Sequence, residues 1–242
     1  MLKYLSESIF DADGYKYGHF LQYPPGMQGM EVYMSCRGGR YGKVRFFGLQ
    51  HELKAALDPI TEEQVKAAEL FIPAYGPSYN VEGFRKILNR YGGHWPVEVR
   101  ALPEGALVPV QVPCFTITST DPELPWVPGF LETRFRVWAP TATATKTYYW
   151  REMMRRYLEK ASDDPEAELQ WKLHDFGSRG VSCRAASAVQ GAAHLLNFRG
   201  TDNVIALRMI NECYAPSKSK VNMAQYVCGG SIDASEHSTV TS

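Results

Sequence analysis

From Leu169 onward the hydrophobic pattern of the chain changes period, and nothing else in the sequence restricts the fold as much. Residues 171–176 read as a strand, 181–196 as a helix, 195–199 as a second strand and 203–214 as a second helix. Strands and helices alternating at this interval are the signature of βα units, whose strands pair parallel and whose ligands gather at the carboxyl edge. The polar turn Ser162-Asp163-Asp164-Pro165 precedes this stretch, and the residues before it differ in character. The chain is therefore read as α/β in two parts. Residues 1–165 form an N-terminal α+β region with an arm and helices, and 166–242 are the first βα units of an α/β barrel that opens late in the chain.

The N-terminal part can be read element by element. Residues 11–50 are rich in Gly, Tyr and Arg and suit an arm with short strands. Thr61-Glu62-Glu63-Gln64 is a capping box, which predicts a helix to about Phe71, ahead of Pro73. Asn80 to Arg90 predicts a second helix, stopped by Gly92-Gly93. Val97–Leu102 alternates as a strand does, and 106–119 predicts further short strands between prolines. Asp121-Pro122 and Pro125 mark a loop. Phe130 to Lys160 is mostly helical by composition, and the Tyr148-Tyr149-Trp150 and Met153-Met154 stripe suits a helix core.

Composition removes several function classes. The 242 residues are 45% hydrophobic and 21% charged, enough to bury a substantial core in one large or two modest domains. Lys plus Arg is 26 and Asp plus Glu is 26, which argues against a general nucleic-acid binder. The five cysteines, at 36, 114, 183, 213 and 228, are odd in number and lack CxxC spacing. Reduced thiols in a cytoplasmic protein are the natural reading. There is no apolar run of membrane-spanning length and no signal-peptide core. His94 and His194 have no partners at ligand spacing, so no metal site is assigned.

Two segments carry the candidate chemistry: His174-Asp175-Phe176-Gly177-Ser178-Arg179-Gly180 and Asn197-Phe198-Arg199-Gly200-Thr201-Asp202. A strand ending at Phe176 delivers an aromatic ring to the edge where ligands bind. Gly177 and Gly180 allow a tight turn, a helix from about Val181 offers unpaired amides to an anion, and Arg179 adds a guanidinium for phosphate. Asp202, after the second strand, can accept a hydrogen bond from a ligand amide. Each also has a plainer reading: a strand-to-helix loop for the first segment, a helix N-cap for Asp202. His237 stands beside Glu236, a carboxylate able to orient an imidazole, or is an ordinary loop histidine. Tyr15, in Asp13-Gly14-Tyr15-Lys16-Tyr17-Gly18-His19, offers a stacking face or packs on its own fold. The Arg37, Arg40, Lys43, Arg45 cluster suits phosphate or a solvated hairpin.

In order and wording these segments resemble nicotinamide phosphoribosyltransferase. The resemblance is carried by Asp13-Gly14-Tyr15-Lys16 with His19, Gln22-Tyr23-Pro24-Pro25, Phe47-Gly48-Leu49-Gln50, Pro103-Glu104-Gly105 and Thr120-Asp121-Pro122-Glu123. It continues in Lys172-Leu173-His174-Asp175-Phe176-Gly177 with Arg179-Gly180, then Gly200-Thr201-Asp202 and Glu236-His237-Ser238-Thr239. The resemblance implies a type II phosphoribosyltransferase fold and transfer of phosphoribose from phosphoribosyl pyrophosphate to nicotinamide, as in NAD salvage. It implies Mg2+ on the pyrophosphate of the substrate, ATP as a further co-substrate, and a homodimer with sites at the subunit interface. Phe176 and Tyr15 of the other subunit would sandwich the pyridine, and Asp202 would bind the carboxamide. Arg179 would hold phosphate with Arg37 of the other chain, and His237 would be the phosphorylated histidine.

Gly14 stands where the family has serine, and Asp233 where it has proline. The family continues about as far again beyond Glu-His-Ser-Thr. The chain is thus expected to be an N-terminal half, truncated, split or interrupted, and unstable or inactive until a C-terminal polypeptide completes it. The alternatives are a nicotinate phosphoribosyltransferase, which Asp202 disfavours, and a non-catalytic fragment that binds nicotinamide or a partner.

Overall fold

The computed structural model describes residues 7–214 and 227–241, which fall into two units, Met1–Val137 and Trp138–Ser242. The first contains β1 (Glu31–Ser35), β2 (Lys43–Arg45), α1 (Leu49–Ala56), α2 (Glu62–Tyr75), α3 (Val81–Tyr91), β3 (Val97–Ala101), β4 (Leu107–Pro109), β5 (Pro113–Ser119) and α4 (Val127–Leu131). The second contains α5 (Trp138–Ala161), α6 (Pro165–Leu169), β6 (His174–Asp175), α7 (Arg184–His194), β7 (Gly200–Thr201), α8 (Val204–Cys213) and α9 (His237–Val240). The sequence reading put the boundary after 165. In the structure α5 packs on α6 and α7, and the division falls ahead of it.

In the first unit β5 lies between β1 and β3, antiparallel to both, with Ile117 opposite Val32 and Val99. Phe115 and Ile117 bury on one face of this sheet. Phe84 stands at the centre of an aromatic cluster, with ring centroids 4.9 Å from Trp126 and 5.2 Å from Phe130. Arg134 is buried in this core, with its guanidinium over the Trp95 ring at 5.3 Å. Burial pushes its pKa down to about 10.

Helix α2 begins as its capping box requires: Thr61 Oγ1 accepts from the Gln64 N–H at 3.3 Å, and Gln64 Oε1 accepts from the Thr61 N–H at 3.4 Å. It runs past the expected stop at Phe71 to Tyr75, with Pro73 inside its last turn. Gly76, at φ 126°, then closes it. In α3, Asn80 Oδ1 caps the start by accepting from the Gly83 N–H at 2.9 Å, and Gly92 ends it at φ 59°.

In the second unit β6 and β7 pair parallel, His174 opposite Gly200 and Asp175 opposite Thr201. Gly230 lies along the other side of β7, its N–H donating to the Arg199 carbonyl at 2.8 Å and its carbonyl accepting from Thr201 at 2.9 Å. The order β6-α7-β7-α8 is the expected βα alternation. Both strands are shorter than their apolar runs. Turn bonds from Trp171 and Lys172 back to α6 keep 171–173 out of the sheet, and Asn197 and Phe198 still bond to the His194 carbonyl. Gly191 of α7 lets α8 approach closely, since a Cβ there would lie 2.7 Å from Ala206 Cβ. No disulfide forms, and no described helix is long and apolar enough to cross a membrane.

Candidate active site at the carboxyl edge of the parallel strands

The two short strands bring Phe176 and Asp202 to one edge. Phe176 follows β6 directly and is 69% exposed, so its ring is open to a ligand. Asp202 follows β7, and its N–H donates to the Asp175 carbonyl at 3.0 Å, which sets the spacing of the two strand ends. Asp202 Oδ1 accepts from the Ser231 hydroxyl and from His174 Nε2 at 2.9 Å. These two bonds, the serine's first, hold the Asp202 carboxyl below the usual range. Asp202 does not cap α8. The N-cap position belongs to Asn203, whose side chain turns inward, donating from Nδ2 to the Ser187 carbonyl at 3.0 Å and to Asp175 Oδ2 at 3.2 Å. Asp202 Oδ2 accepts from no described residue and stays available.

Gly177 and Gly180 are not left-handed; the strand-to-helix turn is a 3-10 turn over Gly177–Gly180. Gly177 serves close approach, its N–H donating to Asp175 Oδ1 at 2.8 Å. Arg179 lies in this turn and is exposed. Helix α7 starts at Arg184, later than the expected Val181, with Cys183 as its N-cap: the Ala186 N–H donates to Cys183 Sγ at 3.5 Å. This contact holds the Cys183 pKa below its ordinary value. A cavity of about 290 Å³ opens behind the strand ends, lined among others by Lys146, Trp150, His174, Gln190 and Asn203.

His237 opens α9 and is exposed. Its neighbour Glu236 does not orient it, because the Glu236 carboxylate accepts from the Ser238 N–H at 3.1 Å as an N-cap, which lowers the glutamate's pKa.

Tyr15 and Arg37 belong to the first unit. Tyr15 sits on the 3-10 helix Gly14–Leu21 with its ring 63% exposed. The buried Lys16 pins that helix, donating to the Gly129 carbonyl at 2.7 Å and pairing with Glu132. Arg37 follows β1, is exposed, and lines a cavity of about 470 Å³ with Val32, Tyr33, Met34 and Phe135.

Sequence reasoning gave no role to His174 and did not find Ser231. The alternation of a strand already put His174 on the same face as Phe176, two residues on. Nothing local marks Ser231, which reaches Asp202 only through tertiary structure.

The same architecture occurs among solved structures. Human nicotinic acid phosphoribosyltransferase aligns with a TM-score of 0.56 at 22% identity, covering 80% of this chain and 36% of that one. The chain therefore shares its fold with part of that structure. A family model described as the nicotinamide phosphoribosyltransferase N-terminal domain matches residues 7–99, and one described as the nicotinate phosphoribosyltransferase family matches 171–242. The chain is 43% identical over 243 residues to nicotinamide phosphoribosyltransferase of Xanthomonas campestris pv. campestris, covering 100% of this chain and 50% of the relative. It is 30% identical over 249 residues to that of Acinetobacter baylyi, covering 94% and 47%. The chain is thus similar over nearly all of its length to nicotinamide phosphoribosyltransferases, and it spans about half the length of the curated relatives it matches.

Proposed function

We propose that this chain forms the pyridine-binding part of an enzyme that transfers phosphoribose from phosphoribosyl pyrophosphate to nicotinamide, giving nicotinamide mononucleotide and pyrophosphate. The observation that carries the reading is the Asp202 carboxylate at the same strand edge as the exposed Phe176 ring, its Oδ1 held by two donors and its Oδ2 unoccupied by any described residue.

The pyridine stacks on Phe176, and Tyr15 of a second copy covers its other face. The carboxamide N–H donates to Asp202 Oδ2. A nicotinate carboxylate in the same place meets a like charge with no proton between them, so the acid is rejected. Arg179 and the second copy's Arg37 hold phosphate. The ring nitrogen attacks with its own lone pair as pyrophosphate leaves from a cationic ribose. Proton abstraction is therefore unnecessary, and the protein contributes position and charge. His237, exposed and not engaged by Glu236, accepts phosphate from ATP. Among the described residues no cluster of three or more His, Cys, Asp or Glu side chains stands ready for a metal. These residues offer Mg2+ no ligand set, and no step is assigned to it; the ion belongs with the substrate's pyrophosphate.

The reading is tested by replacing the corresponding half of the Xanthomonas relative with this chain and measuring nicotinamide mononucleotide. The chimera should form product from nicotinamide in preference to nicotinate. Asp202→Ala should cost that preference at least ~10-fold, the size of one hydrogen bond to a charged group. A soluble chimera that makes no product, or an Asp202→Ala chimera with unchanged preference, would remove the assignment.

A further inference from the structure

We infer that His174 is the positioning residue of the pyridine site, fixing the Asp202 carboxylate and the Phe176 ring together and so setting the preference for a carboxamide over a carboxylate. This rests on the reading that Asp202 and Phe176 hold a pyridine carboxamide.

The His174 imidazole is held on three sides. Beneath it is Gly200, its partner across the parallel strands, where a Cβ would lie 2.7 Å from His174 Nδ1. Against its face is Phe176, with ring centroids 4.4 Å apart and an interplanar angle of 29°. At its far end Nε2 meets Asp202 Oδ1 at 2.9 Å. A carboxylate only accepts, so Nε2 carries the proton in this contact. One side chain therefore ties together the two groups assigned to the ligand.

The consequences follow from geometry. His174 and Ser231 both donate to Oδ1, which fixes the carboxylate plane and leaves Oδ2 turned to the ligand. An imidazole that donates its N–H leaves the negative charge on Asp202, and that charge separates amide from acid. Phe176 is otherwise an exposed ring on a short turn, and stacking on His174 limits its rotation before a ligand arrives, which lowers the ordering cost of binding. A histidine that merely filled space over Gly200 would do neither. Its loss would lower stability, or weaken amide and acid alike, without changing their ratio.

The experiment titrates nicotinamide and nicotinate, separately, into the chimera in which the remaining half of the Xanthomonas relative completes this chain, and follows binding by ligand NMR, with circular dichroism as a check on folding. The proteins are wild type, Asp202→Ala, His174→Phe, His174→Asn and His174→Gln. Phenylalanine keeps a flat ring against Phe176 but cannot donate; asparagine is too short to reach Oδ1; glutamine keeps a donor and loses the ring. The expected result is an amide-over-acid ratio that falls at least ~10-fold in His174→Phe and His174→Asn. His174→Gln keeps the ratio while binding both ligands more weakly. If Asp202→Ala loses the preference and a folded His174→Phe or His174→Asn keeps it, the role of His174 is overturned and the function reading stands. If the wild type binds neither ligand, or Asp202→Ala keeps the preference, the function reading fails and the role of His174 falls with it.

Discussion

Two glycines of the first unit look equivalent as letters and carry opposite mechanical weight. Gly93 has φ 86°, and a Cβ there would lie 2.1 Å from the Ile60 carbonyl oxygen, which is backbone and cannot move aside. Gly14 also has a close neighbour, Tyr75 Cε1 at 2.8 Å, but this is the tip of an exposed side chain free to rotate. Gly93→Ala should therefore destabilise by at least ~2 kcal/mol, from a left-handed backbone plus a forced contact. Gly14→Ser should cost less than ~1 kcal/mol. Chemical denaturation of both variants checks the contrast, and equal losses would show that the arm carrying Tyr15 is as tightly held as the Gly93 turn. The arm itself is secured by Lys16 rather than by residue 14: its buried ammonium reaches the Gly129 carbonyl and Glu132.

At the scale of elements, the helices depend on their ends. Thr61→Ala removes the Thr61 Oγ1 acceptor of the α2 capping box, leaving the backbone N–H of residue 61 to donate to Gln64, and should lower stability by ~1 kcal/mol without moving the α2 core residues Val65, Ala68 and Ile72. Denaturant unfolding measures it, and Thr61→Ser should restore most of the loss. Helix α7 ends at His194, whose Nε2 bonds to the Gly200 carbonyl at 3.0 Å and whose ring stacks on Phe198 at 5.4 Å. Burial lowers the His194 pKa, and the Gly200 carbonyl and Asp175 oppose this only in part. The sign follows from linkage: the unfolded chain takes up this proton first. Stability should fall as the pH drops through about 6.5, levelling once the folded histidine is itself protonated. His194→Gln keeps a donor and removes the proton. Melting temperatures of the two proteins between about pH 7 and 5 should therefore diverge; parallel curves would show that another group titrates.

For the molecule as a whole, the proposed site draws Tyr15 from one copy and Phe176 from another. Tyr15→Ala and Phe176→Ala chains, each impaired for nicotinamide, should regain binding when unfolded and refolded together. Random pairing leaves about one site in four with both rings. No recovery in mixed dimers would place both rings of a site on one chain and remove the second copy from the mechanism.

Much of this was written in short range. The capping box of α2, the glycine stop of α3, the strand of 97–101 and the βα alternation after Leu169 follow from local hydrogen bonding and period, so a window of a few residues contains them. The placement of Phe176 and Asp202 just after the two strands was legible for the same reason, as polar and aromatic residues at the ends of apolar runs. The ends of β6 and β7 were not, because the turn bonds of Trp171 and Asn197 compete with the sheet for the same backbone groups. Nor was the state of Asp202. Its neighbours in sequence suggested a helix cap, whereas His174 and Ser231, brought in across the strands, decide which oxygen is engaged and which is free. Period and capping are local energies that the sequence determines by itself. The pairing of a carboxylate with donors distant in the chain depends on where strands lie side by side, and only the tertiary structure decides that.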